Sequence, residues 1–312
     1  MLPIAMTVGA SVYLIYHILP EPVHKAGPFL DAAVSVIQPL LIFSMLFLTF
    51  CRIEPKDLKP HRWHWWLLLV QGGSFVLLGL AAWAVMRWLP EEHHELVILI
   101  ESAMLCLICP TATAAAVVTR KLGGDVAGIT TYTVLINMLT AVLVPAIVPM
   151  VQPVEGVSFG VAFSMILAKV FPLLILPCLA AWLVRYLFPK VHRKLLGYPD
   201  MAFYIWAVSL TLAIAVSVKY LVASTLELAM IGLMALVSLV CCVLQFGLGR
   251  RIHKVTAGQA LGQKNTVFAI WMAYTFMTPE TAIIGGLYSV WHNIFNSWQL
   301  YRAGKDSVRN QV

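Results

Sequence analysis

Apolar residues recur in long runs along the whole chain, near residues 3–19, 32–50, 64–86, 96–119, 126–151, 157–187, 202–218, 228–248, 257–278 and 280–300. As helices, runs of about 20 residues cross a hydrocarbon core of ~30 Å. The stretches between them are short and hold most of the charge, and none reads as a linker or a separate soluble domain. The pattern predicts an all-α membrane protein of ten transmembrane helices in one domain over residues 1–312.

Two of the runs are interrupted near their middle. Span four carries Cys109-Pro110-Thr111-Ala112-Thr113. Pro110 lacks an amide donor and clashes with the preceding turn, and it suits the first position of a new helix. Span nine carries Gly262-Gln263-Lys264-Asn265-Thr266, four polar residues after a glycine. Backbone freed at that depth is tolerated only where it faces protein or a wet cavity. The two interruptions lie roughly 154 positions apart, close to half the chain, with five spans on either side of the midpoint. An odd number of spans makes the halves antiparallel, so residues 1–153 and 154–312 read as inverted repeats. Paired broken helices in such repeats point to a transporter site at the midplane. Half-helices starting there aim positive N-terminal ends at a shared point, which favours an anion. The plainer reading is a pair of packing kinks.

Composition strengthens the membrane assignment. The chain is 61% hydrophobic and 11% charged, against about 25% charged in ordinary globular domains. The net charge of +7 would suit a nucleic-acid partner, but its placement gives another cause. Loops two–three, four–five, six–seven and eight–nine and the tail sum to +11, and the alternate loops to −5. That bias predicts both termini in the cytoplasm of an inner-membrane protein and leaves no need for nucleic acid. The first run lacks a basic leader and a cleavage site and reads as a helix that stays. Trp63, Trp65, Trp66, Trp83 and Trp88 fall at belt positions. His93 and His94 sit in an acidic outer loop and read as solvated rather than metal-binding. Cys106 and Cys109 form a CxxC inside an apolar run, with no His or Asp to complete a metal site. No metalloprotease HExxH, nucleophile elbow or intramembrane aspartate pair points to an enzyme.

At the interrupted segments the sequence resembles the bile acid:sodium symporter family. The family's C-P-G-G-T-A-S-N stands here as Cys109-Pro110-Thr111-Ala112-Thr113-Ala114-Ala115-Ala116. Its E-V-G-M-Q-N-S stands as Ala260-Leu261-Gly262-Gln263-Lys264-Asn265-Thr266, and its G-A-L-F-S-V-W-H-N as Gly285 to Asn293. The last match is the most specific. The resemblance implies a core of spans three to five and eight to ten, with spans four and nine crossing. It implies a panel of spans one, two, six and seven. It also implies an organic anion as substrate (a bile acid, another steroid conjugate or a small carboxylate), moved with sodium through a bacterial inner membrane. On that template Thr111, Thr113, Asn265, Thr266, His292 and Asn293 fall on the substrate side.

The departures concern sodium. Family ligands in spans four and nine become Ala115, Ala116, Ala260 and Lys264, and those in spans five and three become Ile129, Thr133 and Ser74. A methyl group offers a hard cation no oxygen. Sodium therefore drops out as an expected cofactor, and no metal or other cofactor takes its place. Lys264 and the neighbouring Gln263, Thr133 and Ser74 become the candidate ion-site or coupling residues. A lysine at the bilayer centre costs about 2.5–3.5 kcal/mol and should face protein or water. Lys264 has three readings: it replaces the missing ion, it carries a proton, or it pairs with an acid such as Glu101 and only staples the core. Lys169 in span six either attracts an anion or reaches for the interface, and Asn137 and Thr140 suit interhelical hydrogen bonds. The rival to transport is a membrane receptor that keeps the fold but no longer moves its ligand.

Overall fold

The computed structural model describes residues 2–20, 25–89, 94–198 and 200–309. The described residues form helices joined by short turns. They are α1 (Leu2–Ile18), α2 (Gly27–Cys51), α3 (Arg62–Trp88), α4 (His94–Ile108), α5 (Ala115–Lys121), α6 (Val126–Val151) and α7 (Phe159–Leu174). They continue as α8 (Leu176–Leu187), α9 (Pro189–Leu196), α10 (Met201–Ala223), α11 (Leu228–Gly262), α12 (Thr266–Phe276) and α13 (Ala282–Arg309). Among the described residues, six helical stretches are long and apolar enough to cross a membrane: α2, α3, α6, α7 with α8, α10 and α11. The other apolar segments form shorter helices or, in α13, a long helix of more mixed composition.

Solvation runs opposite to that of a soluble protein. Leu69, Leu77 and Leu244 are more than 60% exposed, whereas Gln71, Glu101, Thr140 and Gln259 are buried. Lipid accepts the exposed leucines, and the polar groups turn inward because hydrocarbon offers them no partner. Helix α1 packs on α10, and α2 packs on α8 and α10. Elsewhere α3 packs on α4 and α6, α11 on α4 and α13, and α12 on α13.

Several boundaries differ from the sequence reading. Pro110 does not open a new helix: α4 stops at Ile108 and α5 starts at Ala115, leaving six residues unwound. Span six is interrupted at Ile175, flanked by Pro172 and Pro177. Spans eight and nine form one hairpin with no separate loop. Within α11 the chain reverses at His253 and Lys254, where Lys254 takes a positive φ of 49°. That region is unfavourable for a residue with a Cβ and holds only where packing enforces it. The enforcing contact is close: a Cβ on Gly249 would lie 2.2 Å from the Ala257 carbonyl oxygen across the hairpin. Thr256 also accepts the Asp125 amide at 2.9 Å, and Asp125 caps α6 through Gly128 N. Trp63 is buried between His64 and His253 and is not a belt residue; Trp65, Trp66, Trp83 and Trp88 are exposed. His93 lies outside the described residues, and His94 opens α4.

Candidate functional site

The two unwound segments meet. Thr111 and Lys264 form an antiparallel bridge, with Ala112 N donating to Gln263 O and Asn265 N to Pro110 O, both at 2.8 Å. Proline cannot donate and so ends α4, and the pairing supplies the freed amides and carbonyls with partners. Asn265 then starts α12, its Oδ1 accepting from Phe268 N at 3.2 Å, as an N-cap asparagine does.

The carbonyls released at the end of α4 each find a donor. Gln245 donates to Cys106 O at 3.1 Å, and Lys264 Nζ to Leu107 O at 2.9 Å. Thr140 donates to Ile108 O at 3.1 Å, and Gln71 to Ile108 O and Cys109 O at 3.1 and 3.0 Å. Each glutamine is backed by a tyrosine: Tyr132 donates to Gln71 Oε1 at 2.7 Å, and Gln245 donates to Tyr288, whose hydroxyl donates to Gly262 O at 2.8 Å. Neither glutamine–tyrosine pair was singled out from the sequence. Lone glutamines inside apolar spans were the available signal.

Lys264 is 1% exposed and lies against the carbonyl end of the fifteen-residue α4. A helix C-terminus carries partial negative charge and favours a cation. Among the described residues no carboxylate pairs with Lys264. The expected partner, Glu101, is engaged elsewhere. Its carboxylate accepts from Gln152 Nε2 at 2.6 Å and from Thr278 N at 3.2 Å, joining α4 to the far ends of α6 and α12. The staple reading of Lys264 through Glu101 is therefore corrected.

A cavity of about 790 Å³ opens beside the crossing. Thr113, Gln263, Lys264, Asn265, Thr266, His292 and Asn293 all line it. Thr111 does not; its hydroxyl is turned to Ala260 O at 2.8 Å. The opposite wall is apolar, built by Met6 and Met45 with Phe203, Trp206 and Leu210. The cavity extends to Lys121, the last residue of α5, and to Leu300 in the C-terminal third of α13. Ser289 and Asn296, absent from the sequence-based set, lie on the same face of α13 as His292 and Asn293. Five buried polar atoms on this lining have no hydrogen-bond partner within the chain: Gln263 Oε1, Asn265 Nδ2, Ser289 Oγ, His292 Nδ1 and Asn296 Nδ2. Unpaired buried groups are costly, so these five are free to bond what enters the cavity.

The residues do not fit a sodium site of the family type. Ala115 and Ala260 are buried methyl groups at the crossing. Ser74 donates to Val70 O and Gln71 O, and Thr133 to Ile129 O, all within their own helix. Neither lines the cavity. Asn137 likewise bonds its own helix through Thr133 O, whereas Thr140 bonds across helices. Lys169 is exposed, its ammonium 5.6 Å from the Phe276 ring, and stands outside the cavity. The six cysteines are free and buried. Among the described residues no His, Cys, Asp or Glu cluster is arranged to hold a metal ion.

No curated protein matches the chain. A family model does, across nearly its whole length. The chain, matched over residues 5–302, belongs to the SBF-like CPA transporter family, the bile acid:sodium symporter-like membrane transporters.

Proposed function

We propose that this protein is a secondary transporter of an organic anion that works by alternating access without the usual two sodium ions. Lys264 supplies the positive charge that an ion would bring. The observation carrying this reading is a buried lysine between two broken helices, bonded to a helix-end carbonyl and lining the cavity, without a carboxylate partner. The substrate's acid group sits near Lys264, Thr113 and the start of α12, and its apolar body faces Met45, Phe203 and Trp206. The amphipathic lining supports a bile-acid-like or small carboxylate substrate.

The helix contacts favour the ten-span inverted repeat. Span one packs on seven as two packs on six, and three packs on five as eight packs on ten. The packing of span one on seven, and of span two on six and seven, supports a panel of spans one, two, six and seven, with span six also resting on span five and span seven on span ten of the core. With both termini cytoplasmic, as the loop charges favour, the cavity faces the cytoplasm.

The test is counterflow of labelled organic anions in proteoliposomes without sodium, comparing wild type with Lys264→Gln. Removing one partner of a buried charge pair costs about 2–5 kcal/mol, so the variant should lose at least about tenfold in rate. A rate that follows an imposed proton gradient assigns Lys264 the proton-carrying role. Strict sodium dependence overturns the proposal.

A further inference from the structure

The charge a carrier moves per cycle is the sum of what it releases on the far side. Charges belonging to the chain return with it and cancel. Two sodium ions moved with one monoanion transfer one net positive charge, and an inside-negative potential then drives that anion inward. A cation that is a side chain gives another sum. Lys264 is tethered through its backbone, which is paired to Thr111 at the crossing, and its ammonium holds Leu107 O at 2.9 Å. It does not leave with the substrate. The buried Glu101, held by Gln152 and Thr278, also returns with the chain and leaves the sum unchanged. With Lys264 keeping its proton throughout, the ion-replacing role proposed above, each cycle transfers only the anion's own negative charge.

We infer that this protein is an outward-driven anion uniporter: replacing dissociable sodium by Lys264 reverses the polarity of transport, so that an inside-negative membrane expels the substrate. The inference rests on the anion-transport reading above and adds a direction to it.

The experiment uses full-length wild-type protein in sodium-free proteoliposomes, with valinomycin, a tenfold potassium gradient in either direction and a radiolabelled steroid sulfate as probe. A tenfold gradient of a monovalent ion balances about 59 mV. With the interior positive, the anion should accumulate about tenfold above the medium. With the interior negative, it should settle about tenfold below, roughly a hundredfold difference between the arms. Equal levels in both arms, with sodium-free counterflow intact, overturn the inference and leave the transport reading standing. Accumulation that follows a sodium gradient, or no flux and no counterflow, overturns both.

Discussion

The two broken spans solve the same backbone problem but leave different side chains behind. At the span-four break the side chains are committed. Gln71 and Thr140 bond carbonyls of α4 with no polar atom left over, Gln245 bonds Cys106 O and keeps only Oε1 unpaired, and Thr111 bonds Ala260 O. At the span-nine break the backbone is equally satisfied, through Ala112 N, Tyr288 and Thr111. Its side chains are not, for Gln263 Oε1 and Asn265 Nδ2 stay unpaired, as do Ser289 Oγ, His292 Nδ1 and Asn296 Nδ2 on span ten. On the function proposed above, one break is the scaffold and the other the receiving surface. Matching interruptions in a sequence therefore need not carry matching roles. Mutations in the first should cost folding stability, and mutations along the second should cost substrate binding.

The largest expected effect removes the distinction by spoiling the hairpin behind both. A Cβ on Gly262 would meet the Phe246 ring at 2.3 Å, and that ring stacks on Phe295 at 4.3 Å, leaving it little room to yield. Gly262→Ala should cost about 3 kcal/mol, the upper end of ordinary overpacking, read as a lowered melting temperature in detergent. Next come the glutamines. Gln71→Ala strands the Tyr132 hydroxyl and Cys109 O, whereas Gln245→Ala strands Cys106 O and leaves Tyr288 its bond to Gly262 O. At about 1 kcal/mol for each buried group left unpaired, the lower end for such losses, the first should cost about twice the second. Equal losses, or losses of transport without loss of stability, would contradict the scaffold role.

The breaks were legible because Pro110 and the run from Gln263 to Thr266 violate an apolar pattern at mid-span. So was most of the cavity's polar lining, since Thr113, Asn265, His292 and Asn293 fall in the resembling motifs. The reversal between spans eight and nine was legible too, since the runs 228–248 and 257–278 leave a basic loop that holds His253 and Lys254; the positive φ at Lys254 was not, for no glycine stands there and the close Gly249–Ala257 approach forms only in the fold. Ser74 and Thr133 were assigned by alignment to an ion site, but a hydroxyl in a helix competes for its own turn's carbonyl, and here that carbonyl wins. Pairing of Glu101 with Lys264 failed for a related reason. Opposite charges in one span suggest a pair, yet Gln152 and Thr278 come from elements that only the tertiary fold brings to Glu101.

Smaller effects sharpen the comparison on the receiving side. Asn296 accepts from Gln259 at 3.0 Å through Oδ1 and presents Nδ2 unpaired toward the cavity. Ser289→Ala removes a hydroxyl that has no partner in the chain, so its stability should stay within about 0.5 kcal/mol of wild type. Its substrate affinity should fall by several-fold, the loss of about one neutral hydrogen bond. Asn296→Ala should show the same loss of affinity with some added instability, because Gln259 then loses its acceptor.

The smallest effect belongs to Ser74→Ala. The hydroxyl bonds only Val70 O and Gln71 O of its own helix, and such back-bonding lends a helix nothing and often bends it. The variant should therefore melt within about 0.5 kcal/mol of wild type or slightly above it. Its counterflow rate in sodium-free proteoliposomes should be unchanged. A loss of transport, with melting unaltered, would return Ser74 to the ion path and show that span three feeds the receiving surface as well as the scaffold.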